Sequence, residues 1–125
     1  MSRTLQIKVN DIELEAVLND TKTAEAIWEA LPITGSINTW GDEVYFSISV
    51  RLEPEKGQEV VELGDLGYWP PGSAFCIFFG TTPASRGGEI RAASPVVIFG
   101  KVAGDATVLK GVHSGAQITI EGKTE

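Results

Sequence analysis

Apolar and polar positions alternate along most of this chain. Leu5, Ile7 and Val9 alternate with Thr4, Gln6 and Lys8, and beyond Asn10-Asp11 the pattern resumes with Ile12, Leu14 and Ala16 against Glu13 and Glu15. Two period-2 runs about an Asn-Asp pair predict a hairpin, because both residues tolerate the positive φ of tight turns. The longest alternation, Glu43 to Leu52, sets Val44, Phe46, Ile48, Val50 and Leu52 against Glu43, Tyr45, Ser47, Ser49 and Arg51. It predicts one ten-residue strand with a buried face and a polar face. Ala74 to Phe79 is apolar throughout, which predicts a strand covered on both sides. Val60, Val61 and Leu63 suggest a short strand, and Ile118 and Ile120 a last one. Glu53-Pro54-Glu55-Lys56-Gly57 reads as a solvated loop, and Gly64-Asp65-Leu66-Gly67 and Ser85-Arg86-Gly87-Gly88 as turns. The period changes once. Ala24, Ile27, Trp28 and Leu31 recur at helical spacing after the cap candidates Asp20 and Thr21, and Pro32 ends the pattern. One amphipathic helix over about 21–31 follows.

Many short strands, one helix and frequent turn residues predict a mainly β fold, a closed barrel or a sandwich. A length of 125 residues with no linker or repeat predicts a single domain, 1–125. A formal net charge of −7 makes nucleic acid a poor partner, while leaving room for a cationic or uncharged ligand. The start of the chain has no apolar signal core, and the longest apolar run is far below the ~20 residues that span a bilayer. The expectation is a cytoplasmic protein with no membrane association. Cys76 and His113 are the only cysteine and histidine; one of each does not make an ordinary zinc site, and no nucleotide-binding or nucleophile-elbow motif occurs, so no metal or cofactor is expected.

Three segments in order carry a family resemblance. "LNDTKTAEAIWEAL" is similar to the hairpin-to-helix passage of cyclophilins, "GSAFCIFFG" resembles their Gly-Ser-Gln-Phe-Phe strand, and "VVIFGKVAGDATVLKGV" resembles their Val-Val-Phe-Gly-Lys-Val strand and the helical turn after it. "WGDEVYF" and "GDLGYWPPG" further resemble the small cyclophilin-like proteins of archaea and bacteria. The resemblance implies a single closed eight-stranded β-barrel with short helical turns beside the main helix. It also implies that Val96 to Phe99 is a central strand and that Asp105 to Leu109 turns Val108 and Leu109 back onto the barrel.

Cyclophilins catalyse rotation about peptidyl-prolyl bonds, and the resemblance implies where that chemistry would sit. Their catalytic arginine falls on Ser47, whose hydroxyl lacks the charge and the fork of donors of a guanidinium. The glutamine of their pocket falls on Ala74, the pocket phenylalanine on Cys76, the histidine on Pro95 and the tryptophan near Arg91. Arg51 shares strand parity with Ser47 but stands roughly 13 Å farther along the strand. The reading is therefore a non-catalytic or diverged cyclophilin-like domain that binds a peptide or small ligand in the matching groove. The alternatives are a weak prolyl isomerase using Arg51 or Arg91, and a structural module that forms a homodimer.

Glu43, Tyr45, Ser47 and Arg51 are candidates for the floor of that groove, against the plainer reading that they form the wet side of a strand. The 65–72 loop would wall it, with Tyr68 and Trp69 as aromatic lids or as packing. Phe75, Cys76 and Arg91 complete the candidate set. Cys76, within the most apolar strand, also reads simply as a small hydrophobe.

Overall fold

A computed structural model describes residues 3–52 and 55–123. β1 (Thr4–Val9) and β2 (Ile12–Leu18) form the expected hairpin, with Val9 opposite Ile12, and Asn10 at the turn has φ 54°. Leu5, Ile7, Val9, Leu14 and Ala16 all point into the core, as alternation requires. After α1 (Lys22–Ala30) come β3 (Ile33–Ser36), β4 (Asn38–Thr39), β5 (Glu43–Ser47), β6 (Gln58–Val61), β7 (Asp65–Trp69), β8 (Ala74–Phe78), β9 (Ile90–Ala103) and β10 (Gln117–Lys123). Short 3₁₀ turns lie at Pro70–Gly72 and Ala106–Leu109.

The architecture is mainly β with one helix, but the expected closed eight-stranded barrel is not what forms. Ten strands are present among the described residues. Nine run in the order β3-β10-β1-β2-β9-β7-β8-β5-β4, and β6 branches onto β9. The sheet stays open between β3 and β4. Closure needs a hydrogen-bond ladder between the end strands, and these are four and two residues long and joined by the single residue Ile37. The Ile37 N–H donates to the Ala116 carbonyl and its carbonyl accepts from Gly115, so its backbone groups are spent on the connection before β10.

Further local expectations are corrected. The 43–52 alternation forms a strand only to Ser47. Ile48 and Val50 keep their inward orientation at 9% exposure, so the period outlasts the ladder. The Gly64–Gly67 segment contributes the start of β7, an interior strand between β9 and β8. Gly67 serves close approach there: a Cβ would meet Val96 Cγ2 at 3.0 Å and the Phe78 ring at 3.2 Å. Consequently the 65–72 wall is largely strand. In the 3₁₀ turn after β9, Leu109 is fully buried while Val108 is 44% exposed, so only one of the two packs back.

Helix α1 is capped by Thr21, whose hydroxyl accepts from the Ala24 N–H at 3.1 Å. Ala24 and Ile27 are buried and Trp28 packs partly against the core. The loop read as solvated at 53–57 lies partly outside the described residues, at Glu53 and Pro54. Its Glu55 is bound: the carboxylate accepts from the Thr23 N–H at 2.8 Å and the Thr23 hydroxyl at 2.7 Å. The charge therefore sits at the positive end of the helix.

Two cores result. The larger fills one side of the sheet, with Phe75 between Phe46 and Phe99 at ring separations of 5.5 and 5.0 Å. The smaller lies on the opposite face of β8, where Ala74, Cys76 and Phe78 pack with Val61, Ala92 and Val96. This double coverage is why Ala74–Phe78 is apolar at every position. Among the described residues no helix is long and apolar enough to cross a membrane.

Candidate functional site

The outer face of β5 floors two separate hollows. Glu43 and Tyr45 open into the first, a pocket of about 220 Å³ whose other walls are Trp40, Trp69, Cys76, Ala92, Ala93 and Val96. Strand pairing places the floor: Tyr45 stands opposite Cys76 on β8 and Glu43 opposite Phe78, so Glu43 and Cys76 are diagonal neighbours on one face. The first half of β9 supplies the two alanines and Val96, held over this face by its pairing with β6 and β7. Trp69, the last residue of β7, is fixed by a 2.7 Å hydrogen bond from its indole N–H to the Ser94 hydroxyl.

Glu43 is the unusual member. The sequence offers it as the floor of a groove or as the wet side of a strand, and at 6% exposure it is not on a wet face. Covering this face with β9 removes water from its carboxyl group. That desolvation pushes its pKa up to about 7, with a smaller opposing contribution from a hydrogen bond with Cys76. No cation forms an ion pair with Glu43 among the described residues. The Cys76 thiol is held well above its ordinary range, first by burial and then by the neighbouring carboxylate. It keeps its proton and acts as a wall of the pocket rather than a nucleophile.

The second hollow, about 530 Å³ and wide open, is bordered by Ser47, Arg51, Tyr68, Pro70, Pro71 and Ser73. The Ser47 hydroxyl donates to the Gly72 carbonyl at 3.0 Å, which uses its one proton and leaves it able only to accept. Tyr68 does not form a lid: it is 2% exposed and its hydroxyl donates to the Val50 carbonyl at 2.7 Å.

The structure thus brings Glu43, Tyr45, Trp69 and Cys76 into one pocket and places Ser47, Arg51 and Tyr68 around another. Phe75 faces the opposite side of the sheet, fully buried in the main core. Arg91 lines neither pocket; its guanidinium is held by Glu59 at 2.9 Å and Glu89 at 2.5 Å. Trp40, Ala92, Ala93 and Val96 were not singled out by sequence. Trp40 precedes a Gly-Asp turn and belongs to no periodic run, so the sequence carries it only within the "WGDEVYF" segment of the family resemblance and not as a groove residue. The two alanines become walls only because β9 crosses this face. Among the described residues no group of three or more His, Cys, Asp or Glu side chains is placed to hold a metal ion.

Comparison with known proteins adds the family context. A family model described as Cyclophilin-like matches residues 3–121. Among solved structures, the solution structure of a hypothetical protein from Archaeoglobus fulgidus is 41% identical, with a TM-score of 0.81, covering 96% of this chain and 94% of the other. No curated protein matches the chain.

Proposed function

The chain belongs to the cyclophilin-like family, and from that premise we propose that it is a small-ligand-binding domain that has given up prolyl isomerisation. The observation that carries this reading is the pocket walled by Trp40, Tyr45 and Trp69. It opens on the sheet face where the resemblance puts the isomerase cleft, while Ser47 stands in place of the catalytic arginine. A cavity of about 150 Å³ accommodates benzene, so about 220 Å³ suits a compact ligand with one ring or a short branched chain. Rigid aromatic walls lose little entropy on binding.

The test is a fragment and metabolite screen by ¹H–¹⁵N NMR, with the Trp40 and Trp69 indole N–H signals as reporters. Compact ligands should shift both indoles together with the Tyr45 and Cys76 amides and leave the Arg51 amide still. If no compound moves these signals, the reading is lost.

A slow prolyl isomerase is the second reading. In its favour, Arg51 is exposed and shares the open hollow with Ser47. Arg91 has less support, since both of its acidic neighbours already occupy it. A protease-coupled proline assay on wild type and Arg51→Ala decides this, and absence of activity in wild type removes it.

A further inference from the structure

We propose that the ligand of the Trp40–Tyr45–Trp69 pocket is a compact organic monocation, an alkyl- or arylalkylammonium whose charged nitrogen pairs with the Glu43 carboxylate. The inference rests on the pocket being a ligand site and adds the chemical class. Three features point the same way. First, Glu43 is more than nine-tenths buried, lines the pocket and lacks a protein cation as partner among the described residues. A carboxylate in such surroundings is costly unless it is neutralised by a proton or a counter-ion. The nearest arginine in the covering strand, Arg91, is engaged by Glu59 and Glu89, and Asp42 beside Glu43 is paired with Lys110 at 3.8 Å. The position opposite the carboxyl group is therefore left to whatever enters.

Second, the walls are what an ammonium group prefers. Two tryptophans and a tyrosine surround the same space, and the face of an indole attracts a cation more strongly than any other side-chain ring. Ala92, Ala93 and Val96 supply apolar contact for the rest of a small molecule. Third, the chain carries a net charge of −7, which raises the local concentration of cations and opposes anions. The titratable groups facing Glu43 inside the pocket are the Cys76 thiol and the Tyr45 phenol; the thiol stays protonated, and neither is a cation that would compete with the ligand. The burial that raises the pKa of Glu43 also means that the ammonium group supplies the partner that keeps it ionised.

The experiment compares three probes of one shape, benzylammonium, benzyl alcohol and benzoate, by NMR titration of the full chain at pH 8. Benzylammonium should bind about tenfold more tightly than benzyl alcohol, the effect of its charge-assisted pairing with the Glu43 carboxylate, and benzoate should not bind. In Glu43→Gln, benzyl alcohol should bind as before and the ammonium should lose its advantage. Should that variant fail to fold, the wild-type ratio at pH 5, where the carboxyl group is protonated, serves instead and should approach one. Equal binding of ammonium and alcohol by wild type at pH 8, or a preference that survives in Glu43→Gln or at pH 5, overturns the cation inference while leaving a ligand pocket. If none of the three probes binds, the pocket itself is not a ligand site and both readings fall.

Discussion

The hydroxyl of Tyr68 donates to the backbone carbonyl of Val50 at 2.7 Å, tying the interior strand β7 to the segment that continues β5 after its ladder ends. Both groups are buried, and Val50 has no strand partner there. Together with the Ile48 N–H, which donates to the Ser73 carbonyl at 2.8 Å, the bond holds residues 48–50 in an inward-facing alternation beyond the end of the β5 ladder. Tyr68→Phe leaves the carbonyl without its donor and should destabilise the fold by about 1–3 kcal/mol. Urea denaturation measures the loss. The Trp40 and Trp69 indole signals should stay in place in the same variant, since neither pocket wall moves.

Glu43 should make stability fall as pH rises. Its native pKa of about 7 lies above the ordinary glutamate value of 4.5, so between those values the native state holds a proton that the unfolded chain has released. The native state thus loses ground across that window and no further above pH 7. The gap corresponds to roughly 3 kcal/mol at about 1.4 kcal/mol per unit. Urea midpoints of wild type and Glu43→Gln at pH 5 and pH 8 isolate the effect: the wild-type midpoint should drop more than that of the variant. Parallel changes would show that Glu43 is not the titrating group.

Glu55 acts with the opposite sign. Hydrogen bonds from the Thr23 hydroxyl and N–H hold its carboxyl below the usual range, so its contribution is present above the unfolded carboxylate pKa and disappears as pH falls through that value and below. Glu55→Gln should lower the thermal midpoint at pH 7 and converge with wild type near pH 3. The local cap behaves differently, because the Thr21 hydroxyl does not titrate. Thr21→Ala should cost about 1 kcal/mol at either pH.

Gly100 stands where β9 packs tightly against the end of β2, opposite Leu18. A Cβ there would stand 2.7 Å from the Val17 carbonyl oxygen and 3.3 Å from the Leu18 Cα, and both neighbours are backbone. Gly100→Ala should therefore destabilise by about 1–3 kcal/mol. Gly87→Ala is the contrasting case: no atom lies within 4 Å, and φ of +65° supplies the only penalty, on the order of 1 kcal/mol. A larger loss at Gly87 than at Gly100 in chemical denaturation would contradict this ranking.

Local pattern alone identified the β1–β2 hairpin, the amphipathic helix with its Thr21 cap, and the strand from Ala74 that is buried on both faces. In each of these, neighbouring residues decide the outcome. A period of two or of 3.6 shows directly which side chains share a face. The same rule predicted correctly that Val44, Phe46, Ile48 and Val50 turn inward. It left Glu43 open between groove floor and wet face, because alternation separates the two faces of a strand but does not show whether the second face meets water. That depends on β9, almost fifty residues later, crossing β5 and β8 with Ala92, Ala93 and Val96. Closure of the sheet is equally remote from local pattern, since it requires pairing between β3 and β4, too short and too tightly linked to form a ladder. The sequence by itself determined the first hairpin, the helix, the strand from Ala74 and the inward faces of the periodic runs. Tertiary structure alone decided that one buried carboxyl group would line a pocket with three aromatic side chains, because burial is a property of what packs above a residue rather than of the residues beside it.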